Sequence, residues 1–348
     1  MVWMLRSAEA LYNAQQARYA KLAILLAREW RNFGGDFDSS WAEVGPRIMA
    51  LVSAAQTGAA YDGALSMHRQ LVEGGAAIEP SAVIIPGAWA GWSDEGLPID
   101  RLLYNSVVQM RTTDAGSLDE RLKIGFQRLV VLSREQVGNA GRSASQVAIA
   151  ARPGAGYTRM VNPPCCKDCA LQAGRFFRWN AGFQRHPGCD CVHVAVAGGS
   201  VPRGHADDVP TSQIHDLTDG ERLALESGAD LSQVVNSQRG PSKAGRWTTE
   251  STTRRGMHHG KGRRMTPDAI LAQAKSQDDA VRLLTENGYM EGLGRGKDFE
   301  GYGQYGRGGT RVGARHAVEQ ARITGVRDPG SIYTMTAAEL RRNKTITT

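Results

Sequence analysis

The stretch CCKDCALQAGRFFRWNAGFQRHPGCDC, residues 165–191, contains all five cysteines of a chain of 348 residues. It begins with a C-x-x-C pair at 166–169 and ends with HPGCDC at 186–191, after sixteen intervening residues. Two close groups of ligands separated by a short excursion are the arrangement by which one chain surrounds a tetrahedral zinc ion. The spacing therefore predicts a small module that is held together by a metal ion and lacks a large core of its own.

This stretch offers more side chains than a tetrahedral ion can use. Cys165 lies one residue outside the C-x-x-C pair and is predicted not to be a ligand. His193 follows in an alternating apolar segment that is typical of a strand, and it is predicted to be a hydrogen-bonded structural histidine. The predicted zinc ligands are Cys166, Cys169, His186 and Cys191, with Cys189 as the substitute for one of them.

Two other interpretations of the cysteines stay open from the residues alone. The cysteines can form disulfides or lie reduced as small apolar side chains, and they can belong to a catalytic zinc or thiol centre. A catalytic zinc keeps an open position beside a general acid or base, and the sequence around the cysteines contains neither an H-E-x-x-H nor an H-x-E frame. No catalytic residue is therefore predicted, and the metal is predicted to be structural.

Composition and the start of the chain together indicate an ordinary protein of a reducing compartment. Hydrophobic residues make up 41 %, and the formal net charge of +7 is compatible with nucleic-acid contact without proving it. The chain begins without a signal-peptide pattern, and its longest apolar run, LAILLA at 22–27, is too short to span a bilayer. We therefore expect a protein that is made in a cytoplasm, where disulfides are disfavoured, and that has no membrane partner.

Residues 1–150 carry the periodicity of long amphipathic helices. Apolar side chains recur on one helical face, as in the series Tyr12, Tyr19, Leu22, Leu26 and Trp30. Capping boxes, which satisfy free backbone N–H groups at a helix start, are predicted at SWAE (40–43) and at SLDE (117–120). Further helix starts are predicted at TDGE (218–221) and at Thr266, which precedes a proline.

The predicted fold class is mainly α (α+β). A helical N-terminal domain precedes a small zinc-clasped module with short strands, and short helices and irregular basic arms follow at the C-terminus. The predicted divisions are a helical domain at 1–150, a Cys/His zinc-binding module at 151–204, a short-helix region at 205–290 with a basic loop at 239–264, and a Gly/Arg/Tyr-rich extension with a terminal helix at 291–348. The basic loop carries eight Lys or Arg against one Glu.

The cysteine pattern resembles that of the MuF-like minor head proteins of tailed bacteriophages, in particular of phages that infect actinobacteria. The residues that carry the resemblance are Cys166, Cys169, Leu171, Gly174, His186, Pro187, Cys189 and Cys191. Downstream segments such as GADLSQVVNSQRG and AVRLLTENGYM are similar to the same proteins, so that the resemblance covers about residues 1–290.

The resemblance implies a structural virion protein that binds the phage portal protein and the major capsid protein during head assembly. It would lie in the capsid interior or at the portal vertex, and in the host cytoplasm during assembly. From composition, basic residues of the loop are candidates for a contact with packaged double-stranded DNA, and the alternative is a solvated loop that touches no partner. The residues concerned are Arg254, Arg255, Lys261, Arg263 and Arg264.

An enzymatic function is the alternative hypothesis. Related chains are sometimes described as capsid maturation proteases, and a zinc-containing nuclease would need a histidine base and an acidic residue for Mg²⁺. The nearest candidates for those roles are His205, Asp207 and Asp208 in the segment GHADD. Nothing in their spacing points specifically to catalysis, so the chain is predicted not to be an enzyme.

Overall fold

The structure is a computed structural model that describes residues 5–114, 116–181, 188–189, 191–198, 209–237 and 264–292. Within these ranges the fold is mainly α with a few short strands, as predicted. The helices are α1 (Arg6–Trp30), α2 (Phe37–Glu73), α3 (Ile99–Leu103), α4 (Asn105–Thr112), α5 (Leu118–Ala150), α6 (Lys167–Gln172), α7 (Asp219–Glu226), α8 (Leu231–Ser237), α9 (Pro267–Gln273) and α10 (Gln277–Glu286). The strands are β1 (Ala82–Ile84), β2 (Ala155–Met160), β3 (Phe176–Arg178), β4 (Val192–Ala197) and β5 (Met290–Gly292).

Helices α1, α2 and α5 form the bundle on which the rest of the described chain is built. The periodic face of α1 points inward, and four of its five predicted members are buried: Tyr19, Leu22, Leu26 and Trp30. They share a core with Ile48 and Val52 of α2 and with Leu129 of α5. Burial of this stripe removes apolar surface from water, which is the main favourable term in packing such helices.

Three of the predicted helix starts are confirmed and one is wrong. The Ser117 and Thr218 capping boxes are both complete, and Thr266 caps α9 ahead of its proline. The box predicted at 40–43 does not exist, because α2 begins earlier and its first turn is capped by Asp36. The Ser40 hydroxyl instead accepts a hydrogen bond from the Gly34 amide at 2.9 Å, on the loop that precedes the helix.

Helices α2 and α5 cross at two glycines that let their backbones touch. A Cβ atom added at Gly63 would lie 2.3 Å from the Gly141 carbonyl oxygen and 2.8 Å from the Ser145 hydroxyl. Since the Gly141 oxygen belongs to the rigid backbone of α5, it cannot turn aside as a flexible side chain would. The close approach therefore requires a residue without a side chain at position 63.

We predict that Gly63→Ala lowers the free energy of unfolding by about 1–3 kcal/mol, because the helices must separate to admit the methyl group. Chemical denaturation measures the change. Gly220→Ala is the matched control: position 220 is exposed in α7, and an added Cβ meets nothing within 4 Å there. The control should be neutral or stabilising, and a Gly63→Ala protein as stable as the control would contradict the crossing.

A three-stranded antiparallel sheet with the order β3-β2-β4 packs against one side of the bundle. In the central strand Tyr157 pairs with Phe177 on one side and with Ala195 on the other. The sheet shares a core with Leu11 of α1 and Met67 of α2. The bundle therefore covers the sheet and supplies part of the core that the cysteine segment lacks.

The C-terminal part of the described chain returns to the bundle. Strand β5 pairs antiparallel with β1, and α9 and α10 bury Ile270, Leu271 and Leu284 in a core that includes Val147 of α5. Of the helices that the structure describes, none is both long and apolar enough to traverse a bilayer. The domain boundaries proposed from the sequence stay predictions.

Candidate metal centre

The cysteines are carried by two short segments that the fold brings together. Cys166 is the N-cap of α6, and its sulfur accepts a hydrogen bond from the Cys169 amide at 3.3 Å. Cys169 lies in the first turn of α6, and Cys191 immediately precedes β4. Gly188, with φ of +81°, adopts the left-handed conformation that favours glycine in the turn before Cys189.

Three thiols converge at the point where these segments meet. The sulfurs of Cys169, Cys189 and Cys191 all lie within 4.8 Å of one another. The Cys169 sulfur is 3.4 Å from that of Cys191 and 3.8 Å from that of Cys189. Metal–sulfur bonds of about 2.3 Å in a tetrahedron place the sulfurs about 3.8 Å apart, close to these separations.

The cysteines form no disulfide in this structure. All five cysteines are free thiols, and the sulfur separations in the cluster are far longer than a disulfide bond of about 2.05 Å. Cys169, Cys189 and Cys191 are buried. A buried cluster of three thiols could hold a metal ion, and soft sulfur ligands suit zinc, copper(I) or iron–sulfur chemistry.

The other sequence candidates lie in different places. Cys166 is half-buried and is not one of the three thiols that lie within 4.8 Å of one another. His186 lies outside the described residues. Cys165 is buried beside Ile214, to which it forms a β-bridge. His193 is fully buried on β4, and its ring centroid is 4.3 Å from that of Tyr157.

The surroundings of the thiols shift their pKa values in different directions. Hydrogen bonds with Cys169 and then with Cys191 hold the pKa of Cys189 well below its usual value, and the charges of Arg142 and Arg159 act in the same direction. The pKa of Cys169 is raised, first by its hydrogen bond with Cys166 and then by those with Cys189 and Cys191. A bound metal ion would require its cysteine ligands to be deprotonated.

Two buried arginines supply positive charge beside the thiols. Arg159 of β2 is fully buried, and its guanidinium lies 5.9 Å from the centroid of the Phe177 ring. Arg142 of α5 donates to the Cys189 carbonyl oxygen at 3.0 Å and to the Asn139 side chain at 2.7 Å. Asn139 in turn donates to Asp94 at 2.7 Å. A buried series of hydrogen bonds thus connects the turn that carries Cys189 to α5 of the bundle.

Sequence reasoning missed both arginines. The one available signal was the position of Arg142 among small residues, in GNAGRSAS at 138–145, where close helix packing buries any side chain present. Arg159 carried no such signal, because its burial depends on the sheet and on the covering helices together.

Gln70 of α2 closes the outer edge of β4. Its side-chain nitrogen donates to the His193 carbonyl oxygen at 3.2 Å, and its side-chain oxygen accepts from the Ala195 amide at 2.6 Å. A single amide thus takes the place of a neighbouring strand for these two residues. Because β4 begins directly after Cys191, this contact also helps to fix the position of that thiol.

The structure corrects one predicted contact with DNA. Arg264 is 4 % exposed, its guanidinium lies 4.0 Å from the centroid of the Tyr289 ring, and it donates to the carbonyl oxygens of Ala88 and Asn287. It links the C-terminal part of the fold to the segment that follows β1, and its guanidinium is not available to a phosphate. The remaining basic candidates and the GHADD segment lie outside the described residues: Arg254, Arg255, Lys261, Arg263, His205, Asp207 and Asp208.

Comparison of the chain with protein-family models, with curated proteins and with solved structures found no match. The functional argument therefore depends on the site and on the sequence pattern.

Proposed function

We propose that this chain is a structural, non-enzymatic minor capsid protein of a tailed phage, in which a thiolate-bound metal ion fastens a small sheet to a helical bundle. The observation that carries the proposal is the convergence of the buried Cys169, Cys189 and Cys191 sulfurs from two separate segments. The phage role is supported by the resemblance of the C-x-x-C and HPGCDC pattern to MuF-like minor head proteins.

The proposed metal is zinc. Cys169, Cys189 and Cys191 would hold it, and Cys166 or His186 would complete a tetrahedral set. When bound, zinc would supply a covalent-like tie between α6 and the start of β4. Buried Arg142 and Arg159 would offset the negative charge of the thiolates, which is costly to hold in a low-dielectric interior.

Burial favours a structural ion over a catalytic one. A catalytic zinc needs a position that substrate or water can reach. The three thiols are at most 9 % exposed and lie in the same core as Tyr157 and Val194. A protease or nuclease centre would need an accessible acid or base next to the metal, and the described residues offer none within the thiol cluster.

The proposed partners are the phage portal protein and the major capsid protein, within the virion. A contact with packaged DNA remains part of the proposal only for Arg254, Arg255, Lys261 and Arg263, since Arg264 is buried. Such contacts would be non-specific and would weaken steeply as salt increases.

Elemental analysis of the purified full chain tests the metal, and we expect about one zinc ion per chain. The same preparation should neither cleave coat protein nor nick DNA in the presence of Mg²⁺. Mass spectrometry of purified virions that encode the chain should detect it among the head proteins. A metal-free but fully folded chain would contradict the proposed metal tie between α6 and β4. Absence of the chain from virions would contradict the proposed phage role.

A further inference from the structure

A continuous series of hydrogen bonds runs from the loop before α3 to the turn that carries Cys189. Arg142 of α5 donates through Nη1 to the Cys189 carbonyl oxygen at 3.0 Å and through Nη2 to the Asn139 side-chain oxygen at 2.7 Å. The Asn139 side-chain nitrogen donates to Oδ2 of Asp94 at 2.7 Å. Asp94 is therefore separated from the Cys189 turn by only two side chains, although it is far from that turn along the chain.

Asp94 is held from its other side by Gln136 of α5. The Asp94 amide donates to the Gln136 side-chain oxygen at 2.8 Å, and Oδ1 of Asp94 accepts from the Gln136 side-chain nitrogen at 3.0 Å. Gln136 is itself buried. The two carboxylate oxygens of Asp94 are thus assigned to different partners, Oδ1 to Gln136 and Oδ2 to Asn139.

This arrangement fixes which end of the Asn139 amide faces Arg142. An amide has one donating end and one accepting end, whereas a carboxylate only accepts and a guanidinium only donates. Because Oδ2 of Asp94 takes the donating end of Asn139, the accepting end is left for Arg142. The opposite orientation would set two donors against each other. Asn139 and Arg142 are both 3 % exposed, and leaving a buried donor without a partner is costly.

We infer that Asp94 is a positioning residue of the proposed metal centre, which it influences by orienting Asn139 and, through Asn139, Arg142 and the Cys189 turn. The inference rests on the proposed function, because it concerns the metal ion that Cys169, Cys189 and Cys191 would hold. Groups that orient metal ligands from outside the coordination sphere typically change metal affinity about 10- to 100-fold when they are substituted. Asp94 belongs to this class although it touches no thiol of the cluster.

A positioning role and a merely structural role predict different results. If Asp94 only helped to pack its loop on α5, its loss would lower the free energy of unfolding and leave the metal affinity of the folded chain unchanged. If Asp94 orients Asn139, its loss should weaken metal binding in a chain that is still folded. In that case, exchange of the amide and the carboxylate between the two positions should restore binding.

Asp94→Asn tests the first expectation in the full chain. It keeps the size of the side chain and replaces Oδ2 by a donor, so that either orientation of the Asn139 amide brings two donors together. Competition with a zinc chelator should show a zinc Kd about tenfold weaker than that of the wild type. In the cobalt-substituted chain, the thiolate-to-cobalt charge-transfer absorption should also decrease, because it reports the binding of thiolates to the metal.

The double variant Asp94→Asn with Asn139→Asp tests the second expectation. The amide at position 94 can then donate to the carboxylate at position 139, which accepts from Arg142, while the carbonyl end at position 94 still faces Gln136. Zinc affinity should return to within about threefold of the wild type, which is the coupling expected of groups in one network. Circular dichroism should show that both variants are folded.

Three results would contradict the inference, and they are distinguishable. Wild-type zinc affinity in folded Asp94→Asn would leave the metal site intact and assign Asp94 a structural role only. Binding in the double variant as weak as in Asp94→Asn would show that the orientation of the amide is not what matters. A wild-type chain that binds neither zinc nor cobalt would overturn the metal centre and this inference together.

Discussion

Cys169→Ser is expected to abolish metal binding and to unfold the sheet formed by β2, β3 and β4 together with α6. The Cys169 sulfur lies within 3.8 Å of the sulfurs of both Cys189 and Cys191, so its loss removes the central ligand of the cluster. A structural zinc ion contributes about 10 kcal/mol or more of apparent binding free energy, which is comparable with the whole stability of a domain. The fold of this module should therefore not survive without it.

Elemental analysis and hydrogen exchange of residues 155–160 and 192–197 measure the two effects. Cys165→Ser is the matched control, because Cys165 is also buried but is not a member of the thiol cluster. It should keep the metal and its protection from exchange. A Cys169→Ser chain that still carries about one zinc per molecule would show that the metal, if present, is held elsewhere.

Gln70→Ala is expected to lower the free energy of unfolding by about 2–5 kcal/mol and to weaken metal binding at the same time. The substitution leaves the His193 carbonyl oxygen and the Ala195 amide without their side-chain partner at a buried strand edge. A buried polar group without a partner costs about 1–3 kcal/mol. Metal affinity should fall because the same strand positions Cys191.

Gln56→Ala separates stability from metal binding. Gln56 is equally buried on α2, donates to the Trp92 carbonyl oxygen at 2.7 Å and accepts from the Gly91 amide at 3.0 Å, away from the cysteines. It should lower stability by a similar amount in chemical denaturation. A competition assay with a zinc chelator should then show weakened binding for Gln70→Ala alone, and equal zinc affinity in both variants would contradict the role assigned to Gln70.

The helices were predictable because their signals are local. The face of α1 follows from a repeat within 25 residues, and the Ser117 and Thr218 caps need only residues three positions apart. The same locality explains the error at Ser40, since the helix is capped by Asp36, four residues earlier. A local pattern shows that a helix starts nearby, and competition between neighbouring caps selects the residue.

The site was predictable only in outline. The C-x-x-C and HPGCDC spacing is enough to propose a metal and to name its candidate ligands, because a single ion can bind only groups that short turns can bring to one point. Cys189, predicted as a substitute, lies in the cluster of three, whereas Cys166 does not. The spacing could not rank them, since each is a cysteine within reach of the same turn.

The sequence by itself determined the helical class, the inward face of α1 and the presence of a cysteine-rich module, since each depends on residues that are close along the chain. Only the tertiary structure decided that Arg142, Arg159 and Gln70 surround the thiols and that Arg264 is buried against Tyr289. Those contacts join positions that are far apart in the chain, and whether a polar side chain is buried depends on everything that packs over it. An arginine in the sequence is a candidate for the surface until the fold shows what covers it.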